Sequence, residues 1–304
     1  MVSHIITYSQ MLIITVSILF AVAFFSLFER KLLSVTQMRK GPNKISLKGI
    51  LQPLGDAVKL ITKSTHSPNL SNHIMYSLSP LFILILTILI WIVVPIKAKI
   101  LHVNNSGVMI LVIMSLMAIP TIFSGWYSNS SYSILGAIRS VAQTISFEIT
   151  LSFSLFILFL TIQSFNMEAF DYFQKWTWLM WTMPWMIVMM MIVFLAESGR
   201  SPFDLPEGES ELVSGYTIEY GGIHYTMIFL GENLSLMFTA VMISHTICGS
   251  VSSMKVGIIL FIIVLIRSSF PRIRYDQLMN LNWIKILPIL IATVWPICIL
   301  NYEM

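Results

Sequence analysis

The sequence predicts an all-α polytopic membrane protein of about eight transmembrane helices, with an amphipathic surface helix in the first loop. Hydrophobic residues make up 56% of the 304 residues and charged residues only 11%, whereas a soluble domain carries about 25% charge. A hydrocarbon core of roughly 30 Å needs about 20 apolar residues per helix. Eight segments come near this length: Ile5–Phe28, Ser77–Ile96, Val108–Phe123, Leu135–Gln163, Thr177–Glu197, Tyr225–Thr246, Met254–Phe270 and Ile284–Leu300.

All eight spans are expected to form a single integral membrane domain over residues 1–304, because no internal repeat or separate soluble region is visible. The first basic residue is Arg30, after a long apolar stretch, so the N-terminus is interpreted as a retained span and not as a cleaved signal. Fourteen of the 18 Lys and Arg residues follow odd-numbered spans. Loops rich in these residues stay on the cytoplasmic or matrix side. Both chain termini are therefore predicted on the opposite side.

The first loop contains a periodic segment, Leu47–Lys63, whose apolar residues recur at helical spacing while its charged residues share the other face. This pattern predicts a helix that lies on the membrane surface or covers an apolar site of a neighbouring protein. Pro53 either starts this helix or kinks it. A basic turn, Arg39–Lys44, precedes it.

The most acidic part of the chain is Glu197–Tyr220, which holds six of the fourteen acids and a single basic residue, Arg200. Apolar residues such as Phe203 and Leu205 would anchor this stretch. The first and seventh loops, on the same predicted side, are basic. Loops of opposite charge that converge at a membrane surface suggest a vestibule with ion-paired walls. Alternatively, the basic residues serve only to orient the chain.

Two further acids, Glu148 and Glu232, fall inside predicted spans. An acid near the centre of the membrane costs roughly 2.5–3.5 kcal/mol, which implies a polar cavity or a protonated state. Glu148 shares a helical face with Thr144. It lies about 180° around the helix from Arg139, so these two charges cannot pair.

The sequence offers no motif for a metal, flavin or nucleic-acid site. Cys248 and Cys298 are isolated, the six histidines form no close-spaced pair, and no Walker, Rossmann or Ser/His/Asp pattern is present. The net charge of +4 is small and its basic residues are scattered, which does not favour nucleic acid as a partner. We therefore expect this chain to bind no flavin, haem, iron–sulfur cluster or other metal.

Four stretches closely resemble one family, NADH:ubiquinone oxidoreductase chain 1, the membrane subunit of respiratory complex I nearest its hydrophilic arm. They read FERKLLSVTQMRKGPNKISLKGILQPLGDAVKLITK, AIRSVAQTISFEIT, AESGRSPFDLPEGESELVSGYTIEY and SFPRIRYDQLM. The resemblance runs from Phe28 to Pro288. It implies eight strongly tilted helices with both termini on the intermembrane side, in a mitochondrial inner membrane or, alternatively, a bacterial plasma membrane.

The resemblance also implies site residues. Residues implied to line or brace a quinone chamber are Glu29, Arg30, Arg39, Lys40, Gln52, Asp56, Lys59, Arg200, Phe203, Arg272, Arg274 and Asp276. Acids implied to form a proton path are Glu148, Glu197, Asp204, Glu207, Glu209, Glu211, Glu219 and Glu232. The chain departs from the family pattern at Ser34, Leu54, Ser198-Gly199 and Asn233.

The resulting hypothesis is a core subunit of a proton-pumping oxidoreductase, with ubiquinone as substrate and no complete active site or redox centre of its own. Its partners would be the hydrophilic quinone-site subunits, the adjacent proton-channel subunits and the lipid bilayer. Three alternatives stay open: a transporter that acts alone, a structural anchor for a peripheral enzyme, and the membrane subunit of an energy-converting hydrogenase. The transporter is disfavoured because no inverted repeat is visible.

Overall fold

The computed structural model describes residues 2–45, 47–94, 104–175, 177–205 and 215–303, and these ranges are helical with no strand among them. The α-helices, in chain order, are α1 Val2–Thr36, α2 Gln52–Thr62, α3 His73–Val93, α4 Ser106–Leu116, α5 Ala118–Tyr127, α6 Ser131–Ile162, α7 Glu168–Phe173, α8 Leu179–Thr182, α9 Pro184–Glu197, α10 Gly222–Thr246, α11 Ser253–Ser269, α12 Tyr275–Asn280 and α13 Leu287–Glu303.

The all-α polytopic class is confirmed. Six helical segments within the described residues are long and apolar enough to cross a membrane: Ser9–Thr36, His73–Val93, Ser106–Tyr127, Ser131–Ile162, Gly222–Thr246 and Tyr275–Ile299. The two other predicted spans also contain helices, but α9 has 14 residues and α11 has 17. At 1.5 Å per residue α9 is only about 21 Å long, so the count of eight spans stays a prediction.

The first helix continues beyond its predicted end at Phe28. Glu29, Arg30 and Lys31 lie on α1, which ends at Thr36, and not in the first loop. The chain then turns at Met38, which has a positive φ of 56°, while the Arg39 amide donates to the Ser34 carbonyl at 2.7 Å. Hydropathy placed the boundary too early, because backbone hydrogen bonding continues past the last apolar turn.

The surface helix is shorter than the predicted Leu47–Lys63. Lys48 and Gly49 have φ values of 58° and 76°, so Leu47–Gly49 is a separate 3₁₀ turn. The helix proper is α2, and Pro53 lies in its first turn. Proline is favoured there because its missing N–H would have no intrahelical partner. Pro53 therefore starts the helix. Leu51, Leu54, Val58 and Ile61 of the apolar stripe remain exposed.

Prolines also divide two predicted spans. The segment expected over Val108–Phe123 forms α4 and α5, which meet at Met117. Pro120 has no N–H to donate to the carbonyl four residues earlier, which interrupts the helical ladder. The segment expected over Thr177–Glu197 is divided at Met183, whose φ of −133° is non-helical, and α9 begins with Pro184.

The seventh loop is shorter than predicted, because Tyr275–Asn280 is helical. It continues through a π-helical turn, Leu281–Ile286, into α13. At this turn the buried Asn282 side chain donates to the Ser146 carbonyl at 2.7 Å. The wider π turn thus directs a polar side chain inward and fastens the C-terminal segment to α6.

Close approaches between helices fix the interior. The α3 and α10 helices pack side by side, where a Cβ on Gly231 would lie 2.7 Å from Ile83. The Trp91 indole donates to the Leu234 carbonyl across the same interface at 3.2 Å. On α6, Gly136 abuts the backbone of Gly215, at the start of a 3₁₀ turn, Gly215–Thr217. These contacts place α10 between the two cavities described next.

Candidate functional site

The first candidate site is a cavity of about 580 Å³ between α1, α2 and α10. Its charged lining residues are Arg30, Asp56, Lys59 and Lys63, and apolar side chains of all three helices complete the wall. Such a mixture suits a ligand that has both a polar head and a hydrophobic body.

The charged wall of this cavity is organised by Asp56. Its Oδ2 atom accepts a bond of 2.8 Å from Arg30 Nη1, and its Oδ1 atom accepts one of 2.9 Å from Gln52 Nε2. Arg30 comes from the end of α1, whereas Gln52 and Asp56 are one turn apart on α2. The bond from Arg30 fastens α2 to the end of α1, while Leu54 and Val58 on the other side of α2 remain exposed.

Two aromatic residues of this cavity were missed by the sequence reasoning. Tyr225 and Phe229 line it from α10, and their rings stack with centroids 6.2 Å apart. Their spacing of four residues places them on one helical face, which was the available signal. That signal has little specificity in a chain where aromatic residues are 12% of the total.

The second candidate site is a cavity of about 110 Å³ lined by α3, α4, α5, α6, α9 and α10, in which ionisable side chains face a largely apolar wall. Glu197 lines it from the end of α9 and Glu232 from the middle of α10. Thr144, Arg200 and Tyr216 add further polar groups. This space can hold a few water molecules, each of which occupies about 30 Å³ in the liquid.

The first acid of this cavity, Glu197, has a buried Oε2 atom without a hydrogen-bond partner among the described residues. A buried carboxylate oxygen is stabilised only by a hydrogen bond or a proton. Glu148 on α6 lies close enough to Glu197 for an electrostatic interaction. The two acids therefore form one interacting pair.

The second acid, Glu232, accepts a hydrogen bond from the Tyr216 hydroxyl through its Oε1 atom. The neighbouring Asn233 accepts a 2.9 Å bond from Arg200 Nη2 through Oδ1. Asn233 is one of the departures from the family pattern. Here it connects Arg200, which follows α9, to α10. Arg200 therefore lines the second cavity, called the acid cavity below because Glu197 and Glu232 line it, and not the cavity beside α2.

Gln143 fixes the turn that carries Glu197 and Arg200. Its Nε2 atom donates to the carbonyls of Ala196 and Phe203, both at 2.8 Å. Phe203 itself is buried against Phe147, with ring centroids 6.4 Å apart. This places Phe203 in the apolar core, outside both cavities.

Several implied site residues form ion pairs outside both cavities. Glu29 pairs with Arg267, which joins the end of α1 to the end of α11. Asp204 Oδ2 lies 3.4 Å from Arg272 Nη2, so the acidic stretch contacts the connection between α11 and α12. Arg274 Nε lies 3.1 Å from Oδ2 of Asp276, two residues further along the chain.

The other site residues implied by the family resemblance do not lie together in the structure. Arg39 and Lys40 are exposed in the first loop. Glu219 lies in the turn before α10, where its carbonyl accepts a 2.6 Å bond from the Tyr76 hydroxyl. Glu207, Glu209 and Glu211 lie outside the described residues. Within the described part of the chain, His, Cys, Asp and Glu form no group of three that could hold a metal ion.

Comparison with known proteins agrees with this architecture. The model of the NADH dehydrogenase family matches residues 9–298. The chain is 39% identical over 287 residues to NADH-ubiquinone oxidoreductase chain 1 of Patiria pectinifera, covering 90% of this chain and 88% of the relative. It is 41% identical over 283 residues to the same protein of Aedes aegypti, covering 91% and 90%. It is 39% identical over 304 residues to that of Phascolarctos cinereus, covering 95% of each. The chain therefore belongs to the NADH-ubiquinone oxidoreductase chain 1 family.

Proposed function

We propose that this chain is a multi-pass subunit of a mitochondrial NADH:ubiquinone oxidoreductase that helps form the quinone-binding chamber and couples quinone reduction to proton translocation. Membership of the family and the animal relatives support the subunit assignment. The orientation of the termini towards the intermembrane space rests on the distribution of basic residues.

The cavity between α1, α2 and α10 is the part of this chain that we assign to the quinone. Arg30, Lys59 and Asp56 supply hydrogen-bonding and charged groups for a carbonyl-bearing head, while Phe229 and Leu230 offer apolar surface to its body. The chain itself supplies no redox centre in this proposal, and electrons come from an iron–sulfur cluster of a partner subunit. The resident groups bind and orient the head during reduction.

The observation that carries the coupling role is the shared acid cavity. Glu197 and Glu232 line one small cavity, and Glu148 interacts with Glu197. Neighbouring carboxylates titrate as a group, so a change of charge on one alters the proton affinity of the others. A charge created at one end of such a series can therefore move protons along it.

Helix α10 is the physical connection between the two cavities. Phe229 lines the quinone cavity, and Glu232, one helical turn further, lines the acid cavity. Displacement of α10 by a bound or reduced head group would therefore change the surroundings of Glu232. A helix packed against α3 on one side and α1 on the other can transmit such a shift as a unit.

The test is to replace Glu197 or Glu232 by Gln in the assembled complex and to measure quinone turnover and proton pumping together. We expect both activities to fall at least about tenfold. Glu168→Gln is the control, because Glu168 lies on the short helix α7 and lines neither cavity. Glu207→Gln extends the test to the acidic stretch. Unchanged pumping and turnover in both cavity variants would defeat the proton-path assignment.

A further inference from the structure

The acid cavity contains a residue that neither the sequence motifs nor the family resemblance assigned to the proton path. Tyr216 lies in the 3₁₀ turn Gly215–Thr217, only 6% exposed, and its hydroxyl donates to Glu232 Oε1. The same hydroxyl-bearing side chain lines the cavity that Glu197 enters from the opposite helix.

The backbone of Tyr216 is held in place on the side away from the cavity. Gly215 has a φ of 58°, and its Cα would lie 2.7 Å from a Cβ at Gly136, so helix α6 presses directly against the turn. The Tyr216 carbonyl also accepts a bond of 3.4 Å from the Ser133 hydroxyl. These contacts fix the backbone of the turn, and the phenol hydroxyl reaches Glu232 on α10. The backbone that carries Tyr216 is therefore supported by the close packing of Gly136 against Gly215.

We propose, on the basis of the proton path above, that Tyr216 positions Glu232 and relays protons between it and the rest of the cavity. A phenol hydroxyl is both donor and acceptor. When its own proton passes to the Glu232 carboxylate, its oxygen takes a proton from a group or water on the cavity side. One O–H bond breaks and one forms, so tyrosine stays neutral and no other reactant is needed.

The other polar groups of the cavity fit this role. Among the described residues that line it, the charged or titratable ones are Glu197, Arg200, Tyr216 and Glu232, contributed by α9, the turns beside it and α10. Thr144 and Ser140 of α6 contribute neutral hydroxyl groups. The Tyr216 hydroxyl contacts the Glu232 carboxylate directly. A proton exchanged between Glu232 and the cavity can therefore pass through this hydroxyl.

The experiment compares Tyr216→Phe with Tyr220→Phe in the assembled complex. Tyr220 is a matched control: it is also 6% exposed, and among the described residues its hydroxyl bonds to Ser79 Oγ and to the Tyr76 and Ser124 carbonyls, none of which is an acid. Each variant loses one buried hydroxyl, and the two positions are four residues apart. We expect Tyr216→Phe to lower pumping-coupled turnover per assembled complex about tenfold, the equivalent of losing one hydrogen bond to a charged group. Tyr220→Phe should stay within about twofold of the unaltered complex.

Two further readouts separate a relay from a structural role. The pH profile of turnover in Tyr216→Phe should change as it does in Glu232→Gln. The double variant should be no slower than Glu232→Gln alone, because residues that act as a unit are not additive. If Tyr216→Phe matches Tyr220→Phe while Glu232→Gln is impaired, or if only the yield of complex falls, the relay is wrong and the proton path stands. If Glu232→Gln is fully active, the relay fails, and if Glu197→Gln is fully active as well, the proton path fails with it.

Discussion

Gln143 and Phe203, sixty residues apart in sequence, are joined by a hydrogen bond of 2.8 Å from the Gln143 side chain to the Phe203 carbonyl. A second bond of the same length reaches the Ala196 carbonyl. One amide group thus closes the end of α9 and the turn beyond it onto α6. Glu197 and Arg200 lie between the two anchored carbonyls, so their directions depend on this clamp.

We expect Gln143→Leu to weaken this part of the fold by about 1–3 kcal/mol for each carbonyl left buried without a donor. The turn that carries Glu197 should then be released, so coupled turnover should fall together with thermal stability of the complex. Ser146→Ala is the control, because within the described part of the chain the Ser146 hydroxyl bonds to nothing beyond the Gln143 carbonyl of its own helix. Equal melting temperatures for the two variants would contradict the clamp.

The quinone cavity can be tested by filling it. Ala57 lines the cavity, whereas the next residue on the same helix, Val58, is 61% exposed on the outer face. Ala57→Trp should therefore raise the KM for a quinone analogue several-fold, because the added indole would fill part of the cavity of about 580 Å³ and leave less room for the analogue. Val58→Trp adds the same group to the same helix and should leave KM unchanged.

Reduction of a water-soluble acceptor that bypasses the quinone provides a second control, and it should be equal in both variants. If Ala57→Trp and Val58→Trp affect KM equally, α2 does not form the wall of a quinone site. The assignment of this cavity to the quinone would then have to be abandoned.

The conformation of the first loop depends on the backbone of Gly49. Its φ of 76° is left-handed, and a Cβ there would lie 2.1 Å from the Pro42 carbonyl oxygen. Gly49→Ala should destabilise the loop by at least about 1–2 kcal/mol, the cost of a left-handed backbone for a residue with a side chain. Trypsin should then cut faster at Lys40 and Lys44, which flank Pro42.

Gly55→Ala is the matched control for this prediction. Its added Cβ would meet Ile45 at 3.8 Å, an ordinary contact, and alanine is favoured within α2. Cleavage of Gly55→Ala should be no faster than that of the unaltered chain. Equal cleavage of the two variants would show that the turn at Gly49 does not hold the loop.

The loop after α10 supplies a prediction about pH. Burial raises the pKa of the Cys248 thiol, and the nearby charge of Lys255 opposes this rise without cancelling it. Lys255 Nζ is itself held by bonds of 2.6 Å to the Cys248 carbonyl and 2.9 Å to Ser250 Oγ. Only the thiolate reacts with alkylating reagents, so a raised pKa lowers the reactive fraction at every pH below it.

Alkylation of Cys248 in the intact complex, followed by mass spectrometry across a pH series, should therefore show a midpoint above that of a free cysteine, about 8.5. In the denatured chain the burial is lost, and the midpoint should return to about that value. A midpoint that is equal in both states, or lower in the intact complex, would contradict the described packing of this loop.

Local patterns predicted most of the helical architecture correctly. Long apolar runs predicted α3, α6 and α10. An apolar run that enters a membrane must be helical, because its backbone groups can bond only within the helix. Errors fell at the ends and at prolines. The α1 helix outlasts its apolar stretch, and the helical period of Leu47–Lys63 could not reveal the left-handed turn at Lys48 and Gly49.

The sequence by itself determined the fold class, the family and the unusual presence of Glu148 and Glu232 within apolar helices, because each depends on residue type and spacing along one helix. Only the tertiary structure decided that Glu197 and Glu232 line one cavity, that Arg200 joins them, and that Tyr216 donates to Glu232. Those relationships depend on how helices distant in sequence approach each other. That approach is set by contacts such as Gly136 against Gly215 and Gly231 against Ile83, which no local period encodes.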